Sequence, residues 1–386
     1  MGQLHNNHLF AMGRISLYIS VLMLLCSCVY DYEPKDSTIQ GLDDALVVID
    51  GDILAGGITR VKVSFTEPLT SGSIDEIPLG TAVWVESENG VVYAGRQQED
   101  TANSFEVNTE NLDLDDRYRL VVSIPGRGEY VSEYGGVMIS PPIDEITWSI
   151  SPDSSYANIE VTTHNAQTEK LYCKWSYSEN WESDAVFVPD LEYNPSNNYF
   201  INLTPQEINE RVYCFSEAIS NKVSIASTEK LAENFIFKHN LIQIPNTDTR
   251  VKGLYCVNVT QKVLDKNAYQ YWEVLKRNMG ETGGIFSAQP SELKGNISST
   301  TNPSEVVIGY ISVSTTSSMR KFIDWKDVKF FKTDCKYLMV LDNYYYYKQD
   351  FRPAFRVEDV GIYWSKTKCL DCRSYSNSTR PDFWPR

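Results

Sequence analysis

Histidine is scarce in this sequence, and so are the motifs that accompany catalysis. The 386-residue chain has four histidines, of which His5 and His8 fall in an N-terminal segment that we expect to be removed. His164 and His239 remain, and neither accompanies a G-x-S-x-G elbow or a local cysteine signature of a nucleophilic enzyme. Both have polar neighbours, which favours solvated side chains over catalysts. We therefore predict a protein that is not an enzyme and has no catalytic residue.

Positive charge is also in short supply. The chain has 35 Lys and Arg against 51 Asp and Glu, which gives a formal net charge of −16. Nucleic acids and anionic membrane surfaces bind basic patches, so this balance argues against a nucleic-acid partner.

The sequence has few candidate metal ligands at suitable spacing. Zinc would need a second C-x-x-C or a pair of histidines beside Cys369-Leu370-Asp371-Cys372, and neither is present. The run Asp113-Leu114-Asp115-Asp116 lacks the glycine and distal glutamate of an EF-hand loop, which favours a solvated turn over a calcium site. We predict no metal and no cofactor.

Long apolar runs are absent beyond the N-terminus, since no other segment reaches 18 apolar residues. The uncharged residues 15–25 follow Arg14 and match the length of a secretory h-region. In Leu25-Cys26-Ser27-Cys28, Leu at −3 and Ser at −1 are what a lipoprotein signal peptidase requires before an acylated Cys28. We predict a lipoprotein signal peptide at 1–27, with translation starting at Met1 or Met12. An ordinary signal peptide that contains cysteines is the alternative.

The anchor follows from that cleavage site. We expect acyl chains on Cys28 to bind the protein to a lipid bilayer, because two or three chains hold effectively permanently. Residues 28–42 are acidic, contain proline and have little apolar surface to bury, so they are predicted to form a flexible tether.

The remaining composition is typical of exported, mostly antiparallel β-structure with minor helices. Aromatic residues make up 12% of the chain, and turn residues separate short β-branched runs. Five such runs between residues 45 and 124 predict a β-sandwich of the immunoglobulin or fibronectin kind over 43–140. Pro141-Pro142 cannot continue a sheet ladder, so we place a boundary there. A larger β-rich domain with inserted helices is predicted over 141–386.

Local signals predict several elements of the larger domain. Thr204-Pro205-Gln206-Glu207 has the order of a capping box and predicts a short helix. Ala268, Trp272, Leu275 and Met279 recur at helical spacing, which predicts a helix over 265–280 capped by Asp265. Strands are expected at 145–151, 158–163, 171–178, 306–314, 336–342 and 344–347. Four consecutive tyrosines occupy the last of these, where core packing is favoured over an aromatic binding platform.

Six cysteines follow the signal peptide: Cys173, Cys214, Cys256, Cys335, Cys369 and Cys372. An even number in an exported protein indicates disulfides, but six cysteines allow 15 connectivities. The C-x-x-C could be a redox pair, half a zinc site or part of a structural disulfide, and its place in a polar tail favours the last. We predict that the cysteines stabilise the larger domain, with at least one long-range bridge from Cys369 or Cys372 to Cys214 or Cys335.

An ordered series of short motifs resembles the family known as domain of unknown function 4249, a group of Bacteroidota lipoproteins. The motifs are VVIDG at 47–51, RVKVS at 60–64, AYQYW at 268–272, GGIF at 283–286 with Gln289-Pro290, LKGNI at 293–297, VIGYISVS at 307–314, CLDC at 369–372 and RPDFW at 380–384. They cover nearly the whole chain after the signal peptide.

This resemblance implies an outer-membrane lipoprotein, often encoded beside a TonB-dependent receptor, with no established reaction. We therefore expect a lipid-anchored accessory or binding protein that works with a TonB-dependent transporter, facing the cell exterior or the periplasm. A surface adhesin or structural β-sandwich protein is the alternative, and a carboxylate-based hydrolase is a more distant one. A closely spaced, buried acidic pair would favour the hydrolase. The sequence does not indicate which ligand is bound.

Overall fold

The structure is a computed structural model that describes residues 45–66, 77–99, 101–166, 169–278 and 295–385. The predicted signal peptide, Cys28 and the predicted tether lie outside the described residues, as do the motifs at 283–286 and 289–290. Strands dominate the described chain and helices are few, so the mostly β fold is confirmed.

The described residues contain 25 strands and four α-helices. The strands are β1 Val47–Gly51, β2 Ile53–Leu54, β3 Gly57–Phe65, β4 Ala82–Ser87, β5 Val92–Gln98, β6 Thr101–Thr109, β7 Arg117–Ile124, β8 Gly128–Ser132, β9 Gly135–Gly136, β10 Ile143–Ile150, β11 Tyr156–His164, β12 Tyr172–Glu182, β13 Leu191–Asn194, β14 Tyr199–Asn202, β15 Phe215–Ile219, β16 Ser224–Ser227, β17 Phe235–Pro245, β18 Leu254–Val263, β19 Ile297–Ser299, β20 Val307–Ile308, β21 Val313–Ser314, β22 Thr316–Asp324, β23 Leu338–Met339, β24 Phe351–Val357 and β25 Gly361–Lys366. The helices are α1 Pro205–Val212, α2 Lys266–Asn278, α3 Asn343–Lys348 and α4 Thr367–Leu370.

The first sheet has ten strands, nine of them in the order β19-β8-β7-β4-β5-β6-β3-β1-β20, and β9 also pairs with β7. Apolar and polar residues alternate along its strands: in β3, Val61 and Val63 are buried whereas Arg60 and Lys62 are exposed. The inward residues of β1, β3, β4, β6, β7 and β8 share one hydrophobic core, so the sheet curls around it.

Strands from far along the chain complete this first sheet. β20 pairs in parallel with β1 and β19 pairs antiparallel with β8, whereas β21 and β2 form a separate two-stranded parallel sheet. The sheet changes between β9 and β10, and β19 and β20 later return to the first sheet, so residues on both sides of the boundary predicted at 140–141 form it.

Two further sheets share a second core. The three-stranded sheet β10-β11-β17 and the five-stranded sheet of β12, β15, β16, β18 and β22 both contribute to it, with Trp175, Tyr255 and Trp325 among its largest side chains. Helix α2 packs through Ala268 and Trp272 in a separate cluster. Asp265 accepts a hydrogen bond from the Ala268 amide at 2.8 Å, so this helix begins where the sequence predicts.

Three predicted strands differ in the structure. The strand expected at 306–314 is two short strands, β20 and β21. The intervening Gly309 has φ +153°, and a side chain there would lie 2.2 Å from the Ile49 carbonyl oxygen. Only β23 forms within 336–342.

The tyrosine run is helix α3 and not a strand. Asp342 accepts a hydrogen bond from the Tyr345 amide at 2.9 Å, so a local N-cap overrides the β-propensity of the tyrosines.

Residues 183–214 and 332–376 pack together and are called here the C-terminal module. Its main-chain contacts include Asp190 N to Ala354 O at 2.7 Å and Phe187 N to Cys369 O at 2.8 Å. The capping box predicted at Thr204 is confirmed, since the side chains of Thr204 and Glu207 each accept a hydrogen bond from the other residue's amide.

Candidate functional site

The cysteines are divided between two disulfides and two free thiols. Cys214 bonds to Cys372 and Cys335 bonds to Cys369, with Cα atoms 6.0 and 5.8 Å apart, so each cysteine of the C-x-x-C has a distant partner. This confirms the prediction of disulfides and of a long-range bridge from the tail to Cys214.

Cys173 and Cys256 are free and buried. Burial raises the pKa of Cys173 to about 12 and that of Cys256 to about 11. Both thiols therefore stay protonated at neutral pH and are poor nucleophiles.

The two histidines lie in different surroundings. His164 is exposed at the end of β11, and its Nδ1 lies 2.8 Å from the Asp144 carboxylate. His239 is half-buried and stacks on Trp175 with ring centroids 4.8 Å apart, so the expectation that it is solvated is wrong. Its Nε2 lies 3.1 Å from Ser224 Oγ. In the part of the chain that the structure describes, His164 has no hydroxyl partner and His239 has no acidic partner.

The aspartates at 113–116 form a turn, as expected. The Asp113 carboxylate accepts a hydrogen bond from the Asp115 amide at 3.0 Å, and Asp116 accepts one from the Arg117 amide at 2.7 Å. Tyr118 Oη donates back to the Asp113 carbonyl at 3.0 Å, which fixes the turn against β7. Among the described residues, no group of three or more His, Cys, Asp or Glu side chains is placed to hold a metal ion.

Glu182 and Asp184 are an acidic pair in which one pKa is lowered and the other is raised, the pattern that a carboxylate-based hydrolase would use. Burial disfavours ionisation of Glu182, but hydrogen bonds from Lys326 and the Leu254 amide hold its pKa below the ordinary value. Burial and then the charge of Glu182 raise the pKa of Asp184. The carbonyl of Asp184 accepts hydrogen bonds from Lys252 and from Tyr375 Oη of the C-terminal tail, so these contacts also fasten the tail.

Two lysines with perturbed pKa values lie opposite each other on β12 and β18. Burial lowers the pKa of Lys174 to about 7 and that of Lys262 to about 8. Lys262 forms an ion pair with Asp52, and the ammonium of Lys174 lies 2.9 Å from the centroid of the Trp272 ring. These contacts fasten β2 and α2 to the outer face of the five-stranded sheet, which favours a structural role.

A wide cleft of about 980 Å³ lies between residues 137–142 and the start of α2. Three of its polar or charged side chains already have partners within the protein. His164 contacts Asp144, Lys266 pairs with Glu229 at 2.5 Å, and Asp265 caps α2. A ligand in this cleft would have to compete with these contacts.

The C-terminal module exposes an unusual amount of apolar surface at residues 337–345, called here the apolar run. Leu341 at its tip is fully exposed, and Met339, Tyr344 and Tyr345 are 56%, 52% and 57% exposed. None of the tyrosines in α3 is buried, so the core packing favoured from the sequence is wrong. Contiguous exposed apolar surface is typical of interaction sites.

Charge is divided unevenly along the chain. Residues 316–386 contain fourteen Lys and Arg against nine Asp and Glu, although the protein as a whole has a formal charge of −16. The apolar run therefore lies in a region with a positive excess, within an otherwise acidic protein. This asymmetry is visible in the sequence when charge is counted by segment.

Comparison with known families gives one match. The model of the family described as Domain of unknown function (DUF4249) matches residues 29–320. The chain belongs to this family. The DUF4249 match includes the first sheet, most of the second core and the first half of β22, whereas Trp325 of that core and the tail motifs at 369–372 and 380–384 lie beyond it. No curated protein matches the chain.

Three features thus lie almost entirely outside the DUF4249 match: the apolar run, the two disulfide-forming cysteines of the C-x-x-C and the basic excess. No helix among the described residues is both long and apolar enough to cross a membrane.

Proposed function

We propose that this protein is a non-enzymatic accessory lipoprotein, anchored to the outer membrane through acylated Cys28, that binds a TonB-dependent transporter with the apolar run of its C-terminal module. The observation that carries the proposal is the exposure of Leu341, Met339, Tyr344 and Tyr345 within seven residues of the chain. Aromatic residues and methionine are enriched where proteins bind partners.

The scaffold behind this surface suits a docking role. The Cys335–Cys369 disulfide lies just before the apolar run, and Asp342 fixes the start of α3. A surface that is already ordered loses less conformational entropy on binding. The basic excess of the surrounding region favours an acidic partner surface, so binding should weaken as the salt concentration rises.

Site-specific photo-crosslinking tests the docking surface. A photoreactive phenylalanine analogue at Leu341 should give a crosslink to an outer-membrane transporter in intact cells. The same analogue at Leu79, which is 96% exposed in the first sheet's region, is the matched control. Identical products from both positions, or crosslinks only to a second copy of this chain, would contradict the proposal.

The anchor has its own test. Cys28→Ala should abolish incorporation of labelled palmitate and release the protein from the membrane fraction. Continued labelling and detergent partitioning of this variant would show that the anchor is elsewhere.

A surface adhesin or structural protein would use the same exposed residues against a host or neighbouring surface, and the identity of the crosslinked partner separates the two functions. For the hydrolase alternative, Glu182 and Asp184 are the pair to replace, and the fastening of the tail at this pair favours a structural role.

A further inference from the structure

A small cavity of about 260 Å³ lies in the C-terminal module, apart from the apolar run. Three arginines line it: Arg211 from α1, Arg352 from β24 and Arg373 from the segment after α4. Two carboxylates, Glu192 and Asp371, also line it, so the charged side chains leave one positive charge in excess.

Arg211 has an unsatisfied donor at this cavity. Its Nη2 donates to Glu192 Oε2 at 2.6 Å, and its side chain is only 18% exposed. Its Nε is buried and has no hydrogen-bond partner in the part of the chain that the structure describes. The hydrogen bonds of Arg211 within the described residues use Nη2 alone, so other donors of this guanidinium remain for an acceptor supplied by a ligand.

Arg352 is also held in place while part of its guanidinium stays available. Its Nη1 donates to the carbonyls of Phe351 and Tyr347 at 2.8 and 3.2 Å, and its Cζ lies 4.2 Å from the centroid of the Tyr347 ring. Within the described ranges, its hydrogen bonds use Nη1 alone and no carboxylate pairs with it.

Arg373, like Arg211 with Glu192, has its charge neutralised by a carboxylate. Its Nε and Nη2 donate to the two oxygens of Asp371 at 2.9 and 2.6 Å. Burial disfavours ionisation of Asp371, but these bonds hold its pKa below the ordinary value, so the pair stays ionised at neutral pH. Arg352 therefore supplies the excess positive charge that a ligand would meet, and Arg211 adds a second guanidinium to the cavity wall.

We propose that this cavity binds a small organic anion, which presents carboxylate or phosphate oxygens to Arg211 and Arg352 and a ring or short apolar body to Tyr347 and Leu370. Guanidinium groups bind the oxygens of either head group in paired hydrogen bonds. The volume lies just below the range of about 300 to 1,000 Å³ for drug-sized ligands, which restricts the ligand to a small molecule. This site goes beyond the proposed partner docking and does not depend on it.

The long-range disulfide positions this cavity. Cys372 stands between Asp371 and Arg373 and is bonded to Cys214, which follows Arg211 by three residues. The bond thus fixes two walls of the cavity that are far apart in the chain. Reduction should weaken ligand binding even where the first sheet stays folded.

Calorimetric titration of the purified protein with benzoate, phenyl phosphate and inorganic phosphate tests the site, with benzamide as the neutral match to benzoate. At least one anion should bind saturably, and Arg352→Gln and Arg211→Gln should each weaken it by roughly tenfold or more, as expected for loss of a charge-assisted hydrogen bond. Arg60→Gln removes the same charge from an exposed pair on the first sheet and should leave affinity unchanged.

The outcomes are distinguishable. A preference for benzoate or for phenyl phosphate identifies the head group. Absence of saturable binding at millimolar concentrations, equal binding of benzamide, or an equal effect of Arg60→Gln would overturn the proposal. Thermal unfolding of each variant shows whether weaker binding reflects a lost contact or a lost fold. Arg352→Gln is the less disruptive variant, because it leaves no carboxylate without its partner. None of these results bears on the proposed docking surface, which the photo-crosslink at Leu341 tests separately.

Discussion

At the scale of single residues, His239 shows how burial changes the chemistry that a polar sequence context suggests. Its ring stacks on Trp175, and burial lowers its pKa to about 4 from an ordinary 6.5. The folded state therefore favours the neutral ring. The resulting stabilisation is fully present above pH 6.5 and is lost as the pH falls towards 4.

This shift gives a pH prediction. Between pH 7 and pH 4.5, the wild-type free energy of unfolding should fall by about 2 kcal/mol more than that of His239→Gln, because the variant has no ring to protonate. Urea unfolding at the two pH values measures the difference. His164→Gln removes the exposed histidine and should behave like the wild type. Parallel losses in the wild type and His239→Gln would mean that the ring is not buried as described.

The residues of the arginine cavity could not be predicted from the sequence. Arg211, Arg352 and Arg373 lie in three separate segments, and none belongs to a motif. The disulfides, the packing of β13 on β24 and main-chain hydrogen bonds bring them together. What the sequence does show is the basic excess of the last seventy or so residues, which marks the region without identifying the site.

At the scale of elements, α1 and α3 show when local sequence signals are enough to predict a helix. For α1, the capping box and the proline are adjacent in sequence, so the helix could be predicted and its geometry agrees. For α3, Asp342 also provides a cap, but four tyrosines favour a strand by propensity, and the prediction followed the tyrosines. The prediction of one strand at 306–314 was wrong for a different reason. The strand is interrupted at Gly309, which lies against the backbone of Ile49, more than 250 residues earlier in the chain.

The cap of α1 can be tested directly. Thr204→Ala removes the acceptor for the Glu207 amide and should lower the free energy of unfolding by about 1 kcal/mol. Thr204→Ser keeps the hydroxyl and should restore most of that loss. Chemical denaturation of the three proteins at neutral pH provides the comparison, and equal stability of the Ala and Ser variants would show that the cap contributes nothing.

At the scale of the whole molecule, the two disulfides close loops of very different length. Cys214 and Cys372 are 158 residues apart, whereas Cys335 and Cys369 are 34 apart. In the chain-entropy model, loops of these lengths stabilise the folded state by about 5 and about 4 kcal/mol. Either value is a large share of the 5 to 15 kcal/mol that domains typically have, so the C-terminal module depends on these bonds.

The long loop also encloses β15 to β25, and therefore about half of the second core, but the first sheet and the second core have large hydrophobic clusters of their own. The clusters near the Cys214–Cys372 bond are small by comparison. Replacing both cysteines by serine should therefore loosen the C-terminal module first and leave the first sheet protected. Hydrogen exchange should show lost protection at residues 183–214 and 332–376, with β1 to β8 unchanged.

The double variant Cys335→Ser, Cys369→Ser is the matched control. It should leave Arg211 and its neighbours in α1 more protected than the double variant of Cys214 and Cys372 does. Uniform loss of protection across the protein in both variants would show that the module and the sheets unfold as one cooperative unit.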